Sequence, residues 1–273
     1  MKATAQVLPK NIQMTLTSNE CSNHAKPIRL MMIEGEEICP ACQIAKENQN
    51  FEQSLQQEVL NRAAKKKRNT LYRHSAFADE TIREASFGKF IAESEEEAKN
   101  KELAIKAFNH YKAGKTFTTL LQGDTGVGKS HLAMSILRNL NEKMDSECIF
   151  ISVREMMSRI RDSFDHKESK YTQLYFVELL ARVDFLCLDD LGAETGAITT
   201  NKTATNFTLE VLTAILEARQ SKSTIITSNL SRNQMELMYD KKLISRCLKN
   251  IAVIKFEQTR DKRIVAFDLL QEV

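Results

Sequence analysis

Apolar and polar positions along the chain form short apolar runs that alternate with longer stretches of helical period. Five of the apolar runs have strand length and are bounded by polar or turn-forming residues. Strands separated by helices are typical of a parallel sheet with crossover connections. We therefore predict an α/β fold with a five-stranded parallel sheet, whose strands are Thr116–Leu121, Cys148–Ser152, Phe185–Asp189, Thr224–Ser228 and Ala252–Phe256.

Two stretches before the first predicted strand have a helical period. The stretch 43–68 predicts a short amphipathic helix, whose apolar face comprises Phe51, Leu55, Val59 and Leu60. The stretch from Ser94 to Lys112 predicts a second helix that ends before Gly114, and its apolar face comprises Ala104, Ala107, Phe108 and Tyr111. The aromatic residues between the two helices are expected to pin a linker to the next domain; they are Tyr72, Phe77, Phe87 and Phe90.

The length of 273 residues allows one well-buried core and a small appendage. We therefore expect a small N-terminal region over 1–75 and a larger domain over 76–273. The first twenty residues lack the apolar core of a signal peptide, and no stretch approaches the length of a membrane span. These observations predict a cytoplasmic protein.

The charge of the chain is close to balanced. With 39 Lys and Arg against 36 Asp and Glu, the net charge of +3 does not by itself indicate a nucleic-acid-binding protein. Local clusters of basic residues must therefore indicate whether the chain binds nucleic acid. The basic run Lys65–Arg68 fits a solvated helix face and a contact with nucleic acid equally well.

A glycine-rich loop follows the first predicted strand and leads into a helical stretch, 131–140. Glycines at these spacings let successive N–H groups and the helix N-terminus face a polyphosphate. The lysine is expected to contact the β- and γ-phosphates, and the serine to contact Mg²⁺. The predicted nucleotide-binding residues here are Gly123, Asp124, Thr125, Gly126, Val127, Gly128, Lys129, Ser130 and His131.

Polar residues also end two later strands of the predicted sheet. Asp189 and Asp190 end the third strand, where Asp189 would hold Mg²⁺ and Asp190 would orient the attacking water. Because aspartate is one methylene shorter than glutamate, we expect slow hydrolysis. Asn229 ends the fourth strand, at the same sheet edge, and is a candidate sensor of the γ-phosphate.

Four residues near the N-terminus have the spacing of a zinc site. Cys21 and His24 form one short-spaced pair, and Cys39 and Cys42 form another. Thiolate and imidazole are ligands that suit Zn²⁺, and four protein ligands would close its coordination shell, which predicts a structural zinc site. The other cysteines lie in apolar runs and are expected to be core residues; they are Cys148, Cys187 and Cys247.

One arginine, Arg246, lies within an apolar helical stretch near the C-terminus. A buried guanidinium needs a partner, and a phosphate bound by a neighbouring subunit would provide one. An exposed helical arginine fits the sequence equally well.

Four segments in order resemble the DnaC/DnaI-type AAA+ helicase loaders, including their phage relatives, and the related IstB-type transposition ATPases. The segments are Gly-Asp-Thr-Gly-Val-Gly-Lys-Ser-His-Leu-Ala, Leu-Asp-Asp-Leu-Gly-Ala-Glu, Ile-Ile-Thr-Ser-Asn-Leu and Ile-Ser-Arg. The resemblance covers roughly 77–273, and the cysteine and histidine pairs look like the zinc-bearing N-terminal region of DnaI-like and phage members. It implies an AAA+ P-loop ATPase that binds ATP, Mg²⁺ and Zn²⁺.

The resemblance also implies roles for single residues. Arg246 matches an arginine finger that completes a neighbouring subunit's site, and either Arg260 or Arg263 matches the second sensor. Glu194 matches a recurrent family position whose role does not follow from the sequence. The implied catalytic residues are Lys129, Asp190, Asn229 and Arg246.

Two features bear on how far the resemblance extends. Arg219-Gln220 stands where relatives often have Arg-Tyr, which is a departure from the family pattern. The basic segment Arg154–Tyr171 lies where loaders contact single-stranded DNA and neighbouring subunits, and a solvated helix is the alternative interpretation.

The leading functional hypothesis is an ATP-dependent loader of a hexameric replicative helicase onto single-stranded DNA. Its zinc-bearing region would bind the helicase, and its ATPase domains would associate with one another. An IstB-type transposition ATPase is the second hypothesis, and it would bind duplex DNA and a transposase. A nucleotide-dependent adaptor with little turnover is the third.

Overall fold

The computed structural model describes residues 15–195 and 203–263. The chain divides into two compact units, and the boundary falls between Ala63 and Ala64. This division lies earlier than the one expected after residue 75. Within the described residues, no helix has both the length and the apolar character that a membrane span requires.

The first unit contains a small antiparallel sheet with the strand order β1-β2-β3. Its strands are β1 (Thr15–Cys21), β2 (Ile28–Ile33) and β3 (Glu36–Ile38). Glu34 and Gly35 form the turn between β2 and β3 with positive φ angles of 52° and 85°. The sequence analysis did not predict this sheet, because β1 is mostly polar and exposed and therefore lacks the alternation of a half-buried strand.

Helix α1 (Pro40–His74) begins in the first unit and has 35 residues, so the prediction of a short helix was wrong. Its predicted apolar face is exposed: Phe51, Leu55, Val59 and Leu60 have between 45% and 64% of their surface accessible. The buried residues of α1 are Thr70 and Leu71, close to its C-terminal end.

The second unit contains a five-stranded sheet with the order β5-β6-β7-β4-β8. Each neighbouring pair is parallel, so the predicted α/β fold is confirmed. Its strands are β4 (Thr118–Gly123), β5 (Cys148–Ser152), β6 (Phe185–Asp189), β7 (Ser223–Ser228) and β8 (Ile251–Phe256). Its helices after α1 are α2 (Glu95–Lys112), α3 (Lys129–Met144), α4 (Val153–Asp165), α5 (Gln173–Arg182), α6 (Asn206–Ala218), α7 (Arg232–Met238) and α8 (Lys241–Cys247).

Strands β5, β6 and β7 are buried on both faces, because their alternate residues enter two hydrophobic clusters, whereas the edge strand β8 is partly exposed. Ile149 and Leu188 belong to the cluster on one face, and Phe150 and Cys187 belong to the cluster on the other. This two-sided burial explains why the strands have continuous apolar runs. The cysteines predicted to be core residues are buried: Cys148, Cys187 and Cys247.

The linker before α2 is packed within the second unit by its aromatic residues, which were predicted to pin it there. Phe77 stacks on Phe150 of β5 with ring centroids 5.1 Å apart, and Phe90 is 4% exposed. Ser94 caps α2, because its side chain accepts a hydrogen bond from the N–H of Glu97. These contacts fix the segment 76–94 beside the loop that follows β4.

Candidate functional site

A cavity of about 860 Å³ opens at the carboxyl ends of β4, β6 and β7. Ligands of open parallel sheets bind at this edge. The cavity brings together predicted site residues from all three strand ends, and residues of the linker segment also line it. The predicted site residues that line it are Thr125, Gly126, Gly128, Lys129, Ser130, His131, Asp189, Asp190 and Asn229.

The loop between β4 and α3 has the backbone form of a phosphate-binding loop. Gly128 precedes α3 with a φ of 97°, and a Cβ there would lie 2.7 Å from Cε2 of Phe90. Gly126 also has a positive φ, of 79°, and a Cβ there would overlap the carboxylate of Asp261. Glycine is therefore required at both positions for conformation and for space.

Lys129 begins α3 and is 6% exposed. Its Nζ donates hydrogen bonds to the carbonyl oxygens of Gly123, at 2.9 Å, and Asp124, at 2.6 Å. Burial lowers the pKa of Lys129, while the carboxylates of Asp190 and Asp189 oppose this shift. The ammonium is thus held at the phosphate loop by carbonyl groups that a phosphate can replace.

Asp189 ends β6 and is almost completely buried. Burial raises its pKa to about 6, while hydrogen bonds from the hydroxyls of Ser130 and Thr227 oppose the rise. The Oγ1 of Thr227 donates to Oδ1 of Asp189 at 2.7 Å. Ser130 and Asp189, the two predicted Mg²⁺ ligands, therefore lie together, and their oxygen atoms are donors of the type that Mg²⁺ prefers.

Asp190 follows β6 with a φ of 57°, in the left-handed region that is uncommon for aspartate. Its backbone N–H donates to Oγ1 of Thr227 at 2.8 Å. Thr227 thus contacts both members of the acidic pair. The sequence analysis missed this role, although a threonine near the end of a buried strand beside the acidic strand is a usable signal.

Asn229 lies beyond the end of β7, and its Nδ2 donates to Oγ1 of Thr125 in the phosphate loop at 3.3 Å. This contact places its amide beside the phosphate loop. His131 has a different environment, since its Nε2 lies 2.9 Å from the carbonyl oxygen of Ser86 and its ring packs edge-on against Phe90. His131 therefore connects α3 to the linker segment.

Glu194 fastens the turn that follows the acidic pair. Its Oε2 accepts a hydrogen bond from the N–H of Gly192 at 2.9 Å, and its Oε1 accepts one from the hydroxyl of Tyr239 at the end of α7. Burial raises the pKa of Glu194. Arg154 at the start of α4 donates to the carbonyl oxygen of Ala193 at 3.2 Å and also lines the cavity.

The two candidates for the second sensor have different positions. Arg263 lines the cavity, and its side chain is paired with Asp261 at 3.3 Å. Arg260 is exposed. Lys262, between them, donates to the carbonyl oxygen of Ile91 at 2.6 Å and ties this segment to the linker.

Arg246 is not part of this cavity. It lines a second cavity, of about 540 Å³, together with residues that precede β4, β7 and β8, at the opposite edge of the sheet. Its side chain is 20% exposed and is paired with Glu217. The partner of the guanidinium within the chain is therefore a carboxylate.

Arg219 in the same second cavity is the buried arginine of the domain, at 2% exposure. Its guanidinium donates to backbone carbonyl oxygens, which belong to Leu180, Val183, Asp184 and Ser223. Burial lowers its pKa to about 10. The departure from the family pattern at Gln220 therefore leaves a structural arginine in place, and the sequence analysis missed this role.

The four predicted zinc ligands form one cluster in the first unit. The ligand atoms of Cys21, His24, Cys39 and Cys42 all lie within 4.8 Å of one another. Two sulfur atoms bound to one tetrahedral Zn²⁺ are about 3.8 Å apart. Sγ of Cys21 lies 3.7 Å from Sγ of Cys42, so the donor set and its spacing fit zinc.

The histidine of this cluster presents one nitrogen to the sulfur atoms. Nε2 of His24 lies 3.2 Å from Sγ of Cys39 and 3.2 Å from Sγ of Cys42. The backbone N–H of Cys42 is the main cause that lowers the pKa of Cys39 to about 7, despite the opposing effect of burial. Thiolate is the form of cysteine that binds metal.

Comparisons with known proteins agree with the nucleotide cavity. The family model described as IstB-like ATP binding protein matches residues 42–254. The uncharacterized protein YqaM of Bacillus subtilis (strain 168) is 28% identical over 156 residues, which are 55% of this chain and 47% of that relative. The matched region thus spans about half the length of YqaM.

Two solved structures share the fold of the second unit. The DnaC helicase loader matches with a TM-score of 0.53 and 19% identity, over 66% of this chain and 100% of that chain. DnaI matches with a TM-score of 0.53 and 23% identity, over 66% of this chain and 95% of that chain. At these identities the likeness establishes the fold alone, which agrees with the predicted α/β fold.

Proposed function

Because this chain belongs to the family of IstB-like ATP-binding proteins, we propose that it is an ATP-dependent loader of a hexameric replicative DNA helicase. It would place that helicase on single-stranded DNA during replication initiation. The observation that carries the proposal is the cavity in which the phosphate loop, the acidic pair and Asn229 meet, on the fold of the DnaC helicase loader.

ATP would bind in the cavity with its phosphates against the loop. Lys129 would exchange its two carbonyl partners for the β- and γ-phosphate oxygens, while Ser130 and Asp189 would hold Mg²⁺. Asp190 would orient the attacking water, and Asn229 would sense the γ-phosphate. Hydrolysis is expected to be slow, because the carboxylate of Asp190 is carried on a short side chain.

Arg246 would act on a neighbouring subunit. It lies at the sheet edge opposite the phosphate loop of its own chain, so it would meet phosphate only across an interface between two copies. Arg263 would serve as the second sensor, since it already lines the cavity. The role of Arg246 requires self-association of the ATPase domain, whereas Arg263 would act within its own chain.

Zn²⁺ would be held by the cysteine and histidine cluster of the first unit, where its four ligands would stabilise a small sheet. We assign helicase binding to this N-terminal region, 1–75. The ATPase domain, 76–273, would then carry nucleotide and DNA binding.

Single-stranded DNA would contact the segment 154–171. Arg154 lines the nucleotide cavity, and further along this segment Arg159 and Lys170 both lie over the ring of Tyr171, at 5.3 Å and 5.1 Å from its centroid. A stack of cations on an aromatic ring offers charge to phosphates and a surface to bases. The run Lys65–Arg68 is less favoured, because Arg68 is already paired with Asp145 at 2.9 Å.

A second function, an IstB-type transposition ATPase, is favoured by the family match itself. It would share the ATPase cavity but would bind duplex DNA and a transposase. A third, an adaptor that binds ATP with little turnover, would share the cavity and the helicase partner.

Co-purification and ATP turnover separate these functions. The loader is expected to retain the replicative helicase of its own cell in the presence of ATP, and to hydrolyse ATP faster with single-stranded than with duplex DNA. Stimulation by duplex DNA alone, with no retained helicase, would favour the transposition ATPase. Retention of the helicase without measurable turnover would favour the adaptor.

A further inference from the structure

Arg246 is held in one orientation by its own chain. It lies on α8, where its Nη1 donates to the carbonyl oxygen of Lys242 at 2.8 Å. Its Nη2 donates to Oε1 of Glu217, the penultimate residue of α6, at 2.6 Å. Its Nε is buried and has no hydrogen-bond partner among residues 15–195 and 203–263. The direction of the guanidinium is therefore set by one carbonyl and one carboxylate.

Glu217 holds two cations at once. The same Oε1 that accepts from Arg246 lies 3.1 Å from Nζ of Lys242. The side chain of Glu217 is 39% exposed and that of Lys242 is 59% exposed, whereas that of Arg246 is 20% exposed. Glu217 thus pairs with one largely buried cation, Arg246, and with one exposed cation, Lys242. Lys242 has the same ion-pair partner as Arg246 but a more exposed position.

We propose that Glu217 is a positioning residue for Arg246: it fixes the guanidinium at the surface of α6 and α8 so that it can reach the phosphates bound by a neighbouring copy of this chain. The inference rests on the proposed role of Arg246 across a subunit interface. Glu217 touches no nucleotide and acts through Arg246 alone.

Arg246 needs a positioning residue because the arginine side chain is long and flexible. An unrestrained arginine populates many rotamers, and few of them place its charge where the transferring phosphoryl group develops negative charge. A charge-assisted hydrogen bond from a carboxylate removes much of that freedom before the subunits meet. Loss of Glu217 should therefore lower turnover without changing the binding of ATP.

The test compares Glu217→Ala with Lys242→Ala. Glu217→Ala removes both ion pairs of this carboxylate, whereas Lys242→Ala removes only the pair with Lys242, so a loss of turnover confined to Glu217→Ala is due to the pair with Arg246. We expect Glu217→Ala to lower ATP turnover by about ten- to hundredfold, with ATP affinity unchanged, and Lys242→Ala to retain turnover. Glu217→Gln, which keeps the length of the side chain, is measured in parallel in case Glu217→Ala folds poorly. We expect Glu217→Gln to lower ATP turnover by less than Glu217→Ala does.

Mixed assemblies show whether Glu217 acts through Arg246. Lys129→Ala subunits keep an intact arginine, so mixing them with Glu217→Ala subunits should recover turnover, as should mixing them with Arg246→Ala subunits. A mixture of Glu217→Ala with Arg246→Ala should show no recovery of turnover, because neither subunit supplies a positioned arginine.

The outcomes distinguish the inference from the function on which it rests. If Arg246→Ala and Lys129→Ala form joint assemblies without recovery, the proposed role of Arg246 across the interface is wrong. If that pair recovers but Glu217→Ala and Glu217→Gln both turn over ATP like the unaltered protein, the inference about Glu217 is overturned. Recovery in the mixture of Glu217→Ala with Arg246→Ala would also overturn it.

Discussion

Lys129 is the residue on which the proposed nucleotide site depends most directly, because it is the buried cation at the phosphate loop. We expect Lys129→Ala to weaken ATP binding by about 1.5–3 kcal/mol, or roughly ten- to hundredfold, since it removes charged hydrogen bonds to phosphate. The fold should persist. Titration with a fluorescent ATP analogue measures the affinity, and the exposed Lys115→Ala, before β4, is the control. Equal ATP affinity in both variants would refute the proposed role of this loop in phosphate binding.

Asp189 is the residue for which stability and function are expected to oppose each other. Burial raises its pKa from 3.8 in the unfolded chain to about 6 in the folded one, so its ionisation opposes folding. This cost is present above pH 6, decreases as the pH falls, and is absent below the unfolded pKa. A shift of about two pKa units corresponds to about 3 kcal/mol as an upper limit.

We therefore expect Asp189→Asn to raise the free energy of unfolding of the nucleotide-free protein by about 1–3 kcal/mol at pH 7, and by little below pH 4. The same variant should lose Mg²⁺-dependent ATP binding, because it removes an anionic oxygen ligand. Urea unfolding at several pH values measures the first effect. A variant that is less stable than the unaltered protein at pH 7 would contradict this account of Asp189.

Residues with a distinctive motif could be assigned from the sequence, and residues that act by a tertiary contact could not. The phosphate loop and the acidic pair have fixed spacings that follow from the geometry of phosphate and metal binding. Thr227, Arg219 and Tyr239 act through partners that lie 35 to 45 residues away along the chain. Only the folded sheet brings those partners together.

At the scale of elements, the turn after β6 is fastened to the C-terminal end of α7 through Glu194 and Tyr239. This turn carries Asp190, which has a positive φ. The contact explains why a glutamate at position 194 matters without touching the phosphate loop.

We expect Tyr239→Phe to destabilise the domain by about 1–3 kcal/mol, because it leaves the buried carboxylate of Glu194 with one hydrogen bond fewer. Turnover should fall more than ATP affinity, since the turn that carries Asp190 is loosened. Tyr175→Phe is the matched control, because it also removes a bonded hydroxyl, one that lies 3.4 Å from Nδ1 of His74. If the two substitutions had equal effects on turnover, the hydrogen bond between Tyr239 and Glu194 would not be what holds the turn that carries Asp190.

The structure of the first unit is expected to depend on bound zinc. Its strands β1 and β3 have no fully buried residue, so the sheet has little core of its own. We expect one zinc per chain in protein purified without chelators, and loss of that zinc in Cys42→Ser but not in Cys148→Ala. Elemental analysis measures both. Zinc-free protein with an intact far-ultraviolet spectrum would show that the cluster is not a structural zinc site.

The elements of the second unit were predictable because most strands of its sheet are buried on both faces, which gives each of those strands an apolar run. Two predicted strands have the observed bounds, Cys148–Ser152 and Phe185–Asp189. The strand before the phosphate loop begins two residues later than expected, at Thr118, and extends to Gly123. Helix α1 extends beyond the predicted stretch 43–68 at both ends, and the added segments are too short to show an apolar period.

At the scale of the molecule, the two compact units separate two chemistries. The first holds the cysteine and histidine cluster, and the second holds the phosphate loop and the acidic pair. The two chemistries were readable from the sequence because each has its own motif. The division at Ala63 and Ala64 was not, because it falls inside a continuous helix.

The central claim is that ATP binding in the cavity drives the placement of a helicase on DNA. Its most direct measurement counts the helicase hexamers bound to circular single-stranded DNA, with no free end, after incubation with this protein and ATP. We expect transfer by the unaltered protein, and background levels without ATP or with Lys129→Ala. Equal transfer with Lys129→Ala would show that nucleotide is not the switch. No transfer by the unaltered protein, with the helicase and ATP both bound, would contradict the loader account itself.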